Sequence, residues 1–228
     1  MSGAGLILET STPHASIARM REDGTAVLRE FQSDRNHNAM LFRPLEELMR
    51  MEGAPVDLVL VGSGPGSYSG TRVGIAAAQG VAIALGCPAV AVPSMVAVPS
   101  ADGGTRCLAI GDARRGTYWW AWVEDFQMQG EPMLGDAAGL SESVGKAAES
   151  GNPVFAFEEK DRFPLPAALI GVMTSEFPDA MRLWHAWNSA GEACRKQWSR
   201  QVPQPIYLKP PHITPGKRPS LLARSVDR

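Results

Sequence analysis

Short apolar runs separated by turn residues give the N-terminal part of the chain its predicted layout. Residues 6–8 and 58–61 are continuous apolar runs, which predict two buried strands. Between them, Asp23-Gly24 predicts a hairpin between two β-like runs, and the pattern over residues 38–51 predicts a helix. Pro44 fits that helix in its first turn or at a kink. Strands that alternate with helices indicate an α/β domain with at least partly parallel strands.

A glycine-rich turn over residues 62–70 joins the second strand to a predicted helix over residues 71–85. Turns of this kind can cradle a phosphate group with backbone N–H groups. The two common nucleotide-binding motifs are disfavoured, because the turn has no lysine for a P-loop and Ser69 stands where a dinucleotide-binding turn needs glycine. The turn is therefore a candidate phosphate site without a standard fingerprint.

The helix behind this turn has no polar face except around Gln79. Between Leu58 and Ala101, Arg72 is the only charged residue, and residues 71–85 are mainly Ala, Val, Ile, Leu and Gly. A helix that is apolar on every side must be covered on every side. Two alternatives are open: other parts of the same chain cover it, or a second polypeptide does, with small residues allowing the two backbones to approach closely.

The helix over residues 38–51 favours the second alternative. On a helical wheel, its apolar residues form one stripe, and methionines at positions 40 and 51 add another edge. Exposed methionines are common on adaptable binding surfaces. The stripe consists of Leu41, Phe42, Leu45, Leu48 and Met49. The two helices therefore predict a docking face, and its predicted partner-facing residues are Met40, Leu41, Leu45, Leu48, Gly74, Ala77, Ala78 and Val81.

The pattern starts again after a boundary at residues 94–105, where Pro, Ser, Asp and Gly accumulate. Residues 107–110 form an apolar strand that ends at Asp112 and a glycine turn, and the aromatic strand 118–123 follows. The first part of the chain opens in the same way. We therefore predict two related lobes, residues 1–100 and 101–208, followed by a basic tail, residues 209–228.

Composition and charge narrow the class of protein. Of 228 residues, 44% are apolar and 20% are charged, as in globular proteins, and a net charge of −2 argues against a chain whose own surface binds nucleic acid. The tail has five basic residues and one acid, which predicts a solvated terminus or, alternatively, a basic arm for RNA or an acidic partner. Three cysteines without a pairing pattern, no signal sequence and no apolar run of ~18 residues predict a cytoplasmic protein without a membrane span.

Side chains with catalytic or metal-binding potential are sparse. The four histidines are far apart in the sequence, which disfavours a metal site built from paired histidines on one helix. The neighbouring carboxylates Glu158 and Glu159 predict a solvated turn. No catalytic residue and no metal site are therefore predicted.

Three N-terminal stretches resemble the TsaB (YeaZ) family. Residues 64–74, GPGSYSGTRVG, are similar to the family signature GPGSFTGLRIG, and LILETST at residues 6–12 resembles its ILAIDTST strand. Between them, residues 35–37 with Leu41 and Pro44 resemble a basic-His-Ser segment that leads into a Leu-Pro helix.

Two later stretches extend the resemblance. DARRG at residues 112–116, followed by Tyr118, is similar to the family's DARRGEVY, and PIYL at residues 205–208 resembles its PVYLR ending. The matches keep the family's order from residue 6 to residue 208. Residues 130–198 contribute no motif to it.

The resemblance implies an α/β, actin-like ATPase fold (ASKHA, ribonuclease H-like) with two related lobes. It also implies a non-catalytic scaffold subunit that binds and activates a TsaD-like threonylcarbamoyltransferase, which modifies the adenosine beside the tRNA anticodon. A TsaE-like ATPase is the other implied partner, and tRNA is contacted only indirectly. In such assemblies the helices near residues 38–51 and 71–85 join a helical bundle with the partner, and the same face can pair with a second copy as a homodimer.

Nucleotide binding is a separate question. Actin-like folds hold ATP and Mg²⁺ with an aspartate at the end of the first strand, where this chain has Glu9, whose carboxylate lies ~1.5 Å further from the backbone. No cofactor is implied, and ATP with Mg²⁺ stays an open alternative. The corresponding alternative function is an ATP-binding actin-like enzyme or a glycoprotease-like peptidase acting alone, and a tRNA-binding module is a third. The candidate phosphate-site residues are Glu9, Thr10, Ser11, Gly64, Gly66 and Ser67.

Overall fold

A computed structural model describes residues 4–32 and 37–208, and two five-stranded mixed sheets form its centre. The basic tail, residues 209–228, lies outside the described residues, as do residues 35 and 36 of the basic-His segment. None of the helices within the described ranges is both long enough and apolar enough to cross a membrane.

The first sheet is built by the N-terminal part of the chain. Its strands and helices follow the chain as β1 (Gly5–Glu9), β2 (His14–Met20), β3 (Ala26–Gln32), α1 (His37–Met49), β4 (Leu58–Gly62), α2 (Tyr68–Leu85) and β5 (Ala89–Val92). The strand order is β3-β2-β1-β4-β5, with antiparallel pairing among the first three strands of the chain and parallel pairing of β1 with β4 and of β4 with β5. The hairpin predicted at Asp23-Gly24 is confirmed, because β2 and β3 pair around it.

The second sheet repeats this arrangement. Its elements are β6 (Cys107–Asp112), β7 (Tyr118–Glu124), β8 (Gln127–Gly135), α3 (Ala137–Glu149), β9 (Val154–Ala156), α4 (Ala167–Val172) and β10 (Met173–Ser175). The strand order β10-β9-β6-β7-β8 places each strand where its counterpart lies in the first sheet. The prediction of an α/β fold with two related lobes is therefore confirmed.

Alternate residues of β1 face different layers of the molecule. Leu6 and Leu8 belong to one hydrophobic cluster with the buried side chains of α1 and α2. Ile7 belongs to a second cluster, which extends to Phe155 of the second sheet. This alternation follows from the two-residue period of a strand. The central strand of the first sheet is buried on both sides as a result.

Two helices that follow the second sheet return to the first one. These helices, α5 (Ala180–Ser189) and α6 (Glu192–Ser199), pack on β1, β2, β4 and β5. Ser16 Oγ accepts a hydrogen bond from the N–H of Ala180 at 2.8 Å, and Trp184 lies against Gly5, where a Cβ atom would come within 2.8 Å of the indole. The limits of the two lobes, residues 1–100 and 101–208, stay a prediction. The structure adds that α5 and α6, which follow the second sheet in the chain, pack on the first sheet.

The end of α1 is held by a buried arginine from β2. Pro44 lies inside α1 rather than in its first turn. Arg19 is 7% exposed, and its guanidinium donates hydrogen bonds to the carbonyl oxygens of Leu48 and Met51 at 2.8 Å and of Ala54 at 3.0 Å. The last carbonyls of a helix lack intrahelical donors and carry partial negative charge. Arg19 therefore satisfies groups that α1 cannot satisfy itself.

We expect Arg19→Met to destabilise the fold by about 3 kcal/mol, because three carbonyl groups lose a charged donor in a buried place. Urea denaturation of the isolated chain measures this change. Arg29→Met is the matched control, because Arg29 forms an exposed ion pair with Glu47 at 3.4 Å, and its loss should cost less than about 1 kcal/mol. Equal stability losses in the two variants would contradict the role given to Arg19.

Candidate functional site

The glycine-rich turn between β4 and α2 rests directly on the end of β1. The N–H of Ser67 donates to the carbonyl oxygen of Ser11 at 2.6 Å. A Cβ atom at Gly66 would overlap that same carbonyl oxygen, and one at Gly62 would overlap the carboxylate of Glu9. The close approach of the turn to β1 requires glycine at these two positions. Packing within the chain is therefore enough to explain them, without a bound ligand.

The inner side of α2 is fixed to the same strand end. Ser67 caps the helix by accepting the N–H of Gly70 at 3.2 Å. Thr10 Oγ1 donates to the carbonyl oxygen of Gly70 at 2.8 Å, and a Cβ atom at Gly74 would overlap Thr10 Oγ1. Gly74 is therefore a packing position within the chain.

Glu9 is completely buried and serves as an internal acceptor. Its carboxylate accepts the N–H of Ser11 at 2.6 Å and the hydroxyl of Ser94 at 2.8 Å. Burial raises the pKa of Glu9, and the hydrogen bonds from Ser11 and Ser94 oppose that rise. Ser94 Oγ also accepts the N–H of Gly64 at 3.0 Å. The carboxylate thus ties the end of β1 to the segment after β5 and to the glycine turn.

The structure brings the six candidate phosphate-site residues together, but not as an open pocket. Glu9, Thr10 and Ser11 are fully buried, and the turn covers them. Ser11 Oγ and Thr71 Oγ1 are buried without a hydrogen-bond partner in the described part of the chain. A phosphate on these hydroxyls would have to displace the turn from Ser11. Nucleotide binding stays a prediction, and it requires a change from this arrangement.

The outer side of α2 carries an apolar stripe that the described residues leave uncovered. Ile83 is 83% exposed, and Ala76, Gly80 and Ala84 beside it are exposed as well. Residues 76, 80 and 83 or 84 are separated by three or four positions, so they share one side of the helix. We call this surface the outer face. It consists of Arg72, Val73, Ala76, Gly80, Ile83 and Ala84.

Most of the predicted partner-facing residues lie on the inner sides of the two helices. Met40 is 44% exposed and Val81 is half-buried, whereas the other six are buried. The buried six are Leu41, Leu45, Leu48, Gly74, Ala77 and Ala78. A buried side chain cannot contact a partner without repacking. The surface that α1 and α2 offer to a partner therefore consists of their exposed residues, among them Met40 and Phe42, the latter 55% exposed.

The second sheet buries a carboxyl group that the sequence predicted to be solvated. Glu158 follows β9, its Oε2 is buried without a hydrogen-bond partner among the described residues, and its Oε1 accepts the N–H of Asp112 at 3.4 Å. Burial raises the pKa of Glu158 to about 7, and the nearby carboxylate of Asp112 adds to the rise. The prediction of a solvated pair holds for Glu159, which is exposed, and is wrong for Glu158, which is half-buried with its Oε2 shielded from solvent.

The chain matches one family model and is similar to several curated proteins. The sequence model of the TsaD family, described as tRNA N6-adenosine threonylcarbamoyltransferase, matches residues 31–182. The tRNA threonylcarbamoyladenosine biosynthesis protein TsaB of Escherichia coli (strain K12) is 30% identical over 123 residues, which are 51% of this chain and 53% of that protein. TsaB of Bacillus subtilis (strain 168) is 34% identical over 120 residues, 49% of this chain and 51% of that protein. The matches thus span about half the length of these curated relatives.

Comparison with solved structures supports the same grouping at the level of the fold. YeaZ from Pseudomonas aeruginosa superposes with a TM-score of 0.66 at 24% identity, covering 90% of this chain and all of YeaZ. A protein described as similar to peptidase YEAZ from Pseudomonas aeruginosa gives a TM-score of 0.62 at 24% identity. With the family match, these superpositions confirm the predicted actin-like fold.

Two glycines of α2 test which side of the helix the chain itself uses. We expect Gly74→Ala to destabilise the fold by about 1–3 kcal/mol, because the methyl group must displace Thr10. Gly80 has no atom within 4 Å of an added Cβ, so Gly80→Ala should stabilise the helix by up to about 1 kcal/mol. Thermal or urea denaturation of the isolated chain gives both values. Losses of similar size in the two variants would contradict the assignment of inner and outer sides.

The buried carboxyl of Glu158 predicts a pH dependence of stability. The folded chain keeps this proton up to a pKa of about 7, whereas a free glutamate loses it near 4.5. The folded state therefore binds more protons between these values, and stability falls as pH rises, by about 1 kcal/mol per pH unit at the steepest point. Glu158→Gln should remove this fall.

Denaturation between pH 4 and pH 8 measures the effect as the difference in unfolding free energy between the variant and the wild type. Glu159→Gln is the neighbouring control, because Glu159 is exposed, and its profile should follow that of the wild type. A Glu158→Gln profile parallel to that of the wild type would rule the buried titration out.

Proposed function

The chain belongs to the TsaD family, and we propose that it acts in tRNA threonylcarbamoyladenosine biosynthesis as a non-catalytic subunit that binds and activates a TsaD-like transferase. The curated relatives named TsaB are biosynthesis proteins of this modification, which supports the pathway. The observation that carries the docking role is the apolar part of the outer face of α2, where Ala76, Gly80, Ile83 and Ala84 are exposed and none of the described residues covers them.

Burial of the outer face against a partner would contribute favourably to the free energy of binding. Ile83 is 83% exposed, and full burial of such a side chain is worth roughly 1.5–3 kcal/mol. Ala76, Gly80 and Ala84 present little side-chain bulk, so a partner helix can approach to the ~8 Å of close helix packing. Apolar surfaces of this kind mark protein–protein contact sites. The same face serves a second copy of the chain when the transferase is absent.

A non-catalytic role is supported by the hydrogen bonds that the polar groups near the glycine turn form within the chain. Glu9 and Thr10, which a phosphate site would need, form hydrogen bonds inside the chain. The alternative of an ATP-binding enzyme or a peptidase acting alone has less support for this reason. A TsaE-like ATPase joins the assembly through the transferase, tRNA is bound by the assembly rather than by this chain, and the cytoplasm is the place of action.

Substitution on the outer face tests the docking role. Ala76→Arg and Ile83→Glu each place a charge where a partner helix would pack, and we expect each to weaken binding of the purified TsaD-like subunit more than a hundredfold, since an unpaired buried charge costs several kcal/mol. Both positions are exposed, so the fold should be unaffected. Ala78 is unsuitable, because it is fully buried within the chain.

Met133→Arg is the matched control, since Met133 is an apolar side chain of β8 that is 58% exposed in the other lobe. Co-purification and isothermal titration calorimetry report the complex, and circular dichroism reports the fold. Undiminished binding by both outer-face variants would refute the proposed docking.

A further inference from the structure

The outer face ends in an arginine that has no carboxylate partner among the described residues. Arg72 is exposed near the N-terminal end of α2 and is the only charged residue between Leu58 and Ala101. The ion pairs formed by residues 4–32 and 37–208 do not include it. At one end of an uncharged stripe, this lone cation favours a partner that offers an anion at a matching place.

Two tyrosines hold the Arg72 guanidinium in one orientation. Its Nε and Nη2 donate to Tyr207 Oη at 3.1 and 2.9 Å, and its Cζ lies 3.8 Å from the ring centroid of Tyr68. An arginine held in this way loses less conformational freedom when it binds. Within the described part of the chain, its Nη1 donates to no group and its Nη2 donates only to Tyr207, so three of its five N–H groups are available to a ligand.

Tyr207 reaches this position because the C-terminal segment, residues 203–207, is attached to the side of α2. Gln79 Nε2 donates to the carbonyl oxygen of Pro203 at 3.1 Å, and the N–H of Ile206 donates to the carbonyl oxygen of Ser63 at 2.9 Å. The segment therefore runs from the middle of α2 to its N-terminal end. It supplies one of the two aromatic rings that hold Arg72.

We propose that Arg72, held by Tyr68 and Tyr207, is the specificity-determining residue of the outer face and pairs with a carboxylate of the TsaD-like partner. This inference rests on the proposed docking function. The positive end of the α2 dipole adds to the attraction for an anion. Tyr and Arg are also the residue types that most often dominate binding energy at interfaces.

The observations favour a protein carboxylate over two other occupants. A second copy of the chain apposed through the same face offers no carboxylate from residues 58–101. The carboxylates of α1, Glu46 and Glu47, already pair with Arg50, Arg29 and Arg43. An RNA backbone needs several cations along its path, whereas the rest of the outer face is uncharged. Arg72 therefore distinguishes the transferase from the chain itself.

The test measures Kd for the purified TsaD-like subunit at low and high salt. Arg72→Met should weaken binding about tenfold or more at low salt and less at high salt, and Arg72→Glu should weaken it further. Tyr207→Phe keeps the ring and loses the hydrogen bonds to Arg72, so a loss of about three- to tenfold is expected. Arg72→Met should leave self-association of the isolated chain unchanged.

Arg106→Met is the matched control. Arg106 also stacks on an aromatic ring, at 4.7 Å from that of Trp122, but it lies in the other lobe and pairs with Glu124, so its variant should bind like the wild type. If Ala76→Arg abolishes the complex while both Arg72 variants bind normally, the inference is wrong and the docking function stands. If the wild type forms no complex, both fail. Loss of tRNA affinity in Arg72→Met with an intact protein complex would also overturn it.

Discussion

The close approach of the glycine turn to the end of β1 determines the orientation of everything that follows it. Gly62, Gly66 and Gly74 each occupy a place where a single methyl group would overlap Glu9, Ser11 or Thr10. Contacts this close, with a backbone carbonyl at Ser11 and with buried side chains at Glu9 and Thr10, leave α2 no freedom to rotate about its axis. The side of the helix that carries Gly74 is therefore held on the first sheet, and Ile83 is left on the outside as a direct consequence.

The same contact decides what the acidic residue at the end of β1 can do. Burial of a carboxylate is costly unless hydrogen bonds compensate it, and Glu9 obtains its compensation from Ser11 and Ser94 within the chain. A carboxylate committed in this way is not free to hold a metal ion beside a phosphate. The contact between the glycine turn and β1 thus has two consequences. It fixes the orientation of the outer face, and it buries Glu9, Thr10 and Ser11, on which nucleotide binding would depend.

Sequence reasoning reached the repeated lobes and the glycine turn, because both leave local patterns: apolar runs, turn residues and close-packed glycines. It could not tell which side of α2 faces the sheet, since a helix without a polar side gives no periodicity from which to read an orientation. Phe42 and Leu45 look equivalent in a list of apolar residues, but one is 55% exposed and the other is buried. Glu158 was misread for a related reason: two adjacent acids indicate solvent, and only the packing around β9 shows that one of them is half-buried, with one carboxyl oxygen shielded from solvent. The return of α5 to the first sheet depends on contacts such as Ala180 with Ser16, which no local pattern records.

A division of α2 into two sides explains why glycine and alanine occur along both of them. The inner side needs glycine and alanine to lie on β1, and the outer side uses the same residue types to admit a second helix at short distance. Small residues alone would make such a contact weak and unselective, because they bury little area. Ile83, the most exposed large apolar side chain at one end, supplies burial energy, which the small residues lack. The oriented cation at the other end, Arg72, supplies a chemical criterion for the partner. The C-terminal segment completes this arrangement, because Tyr207 restricts Arg72 before any partner arrives.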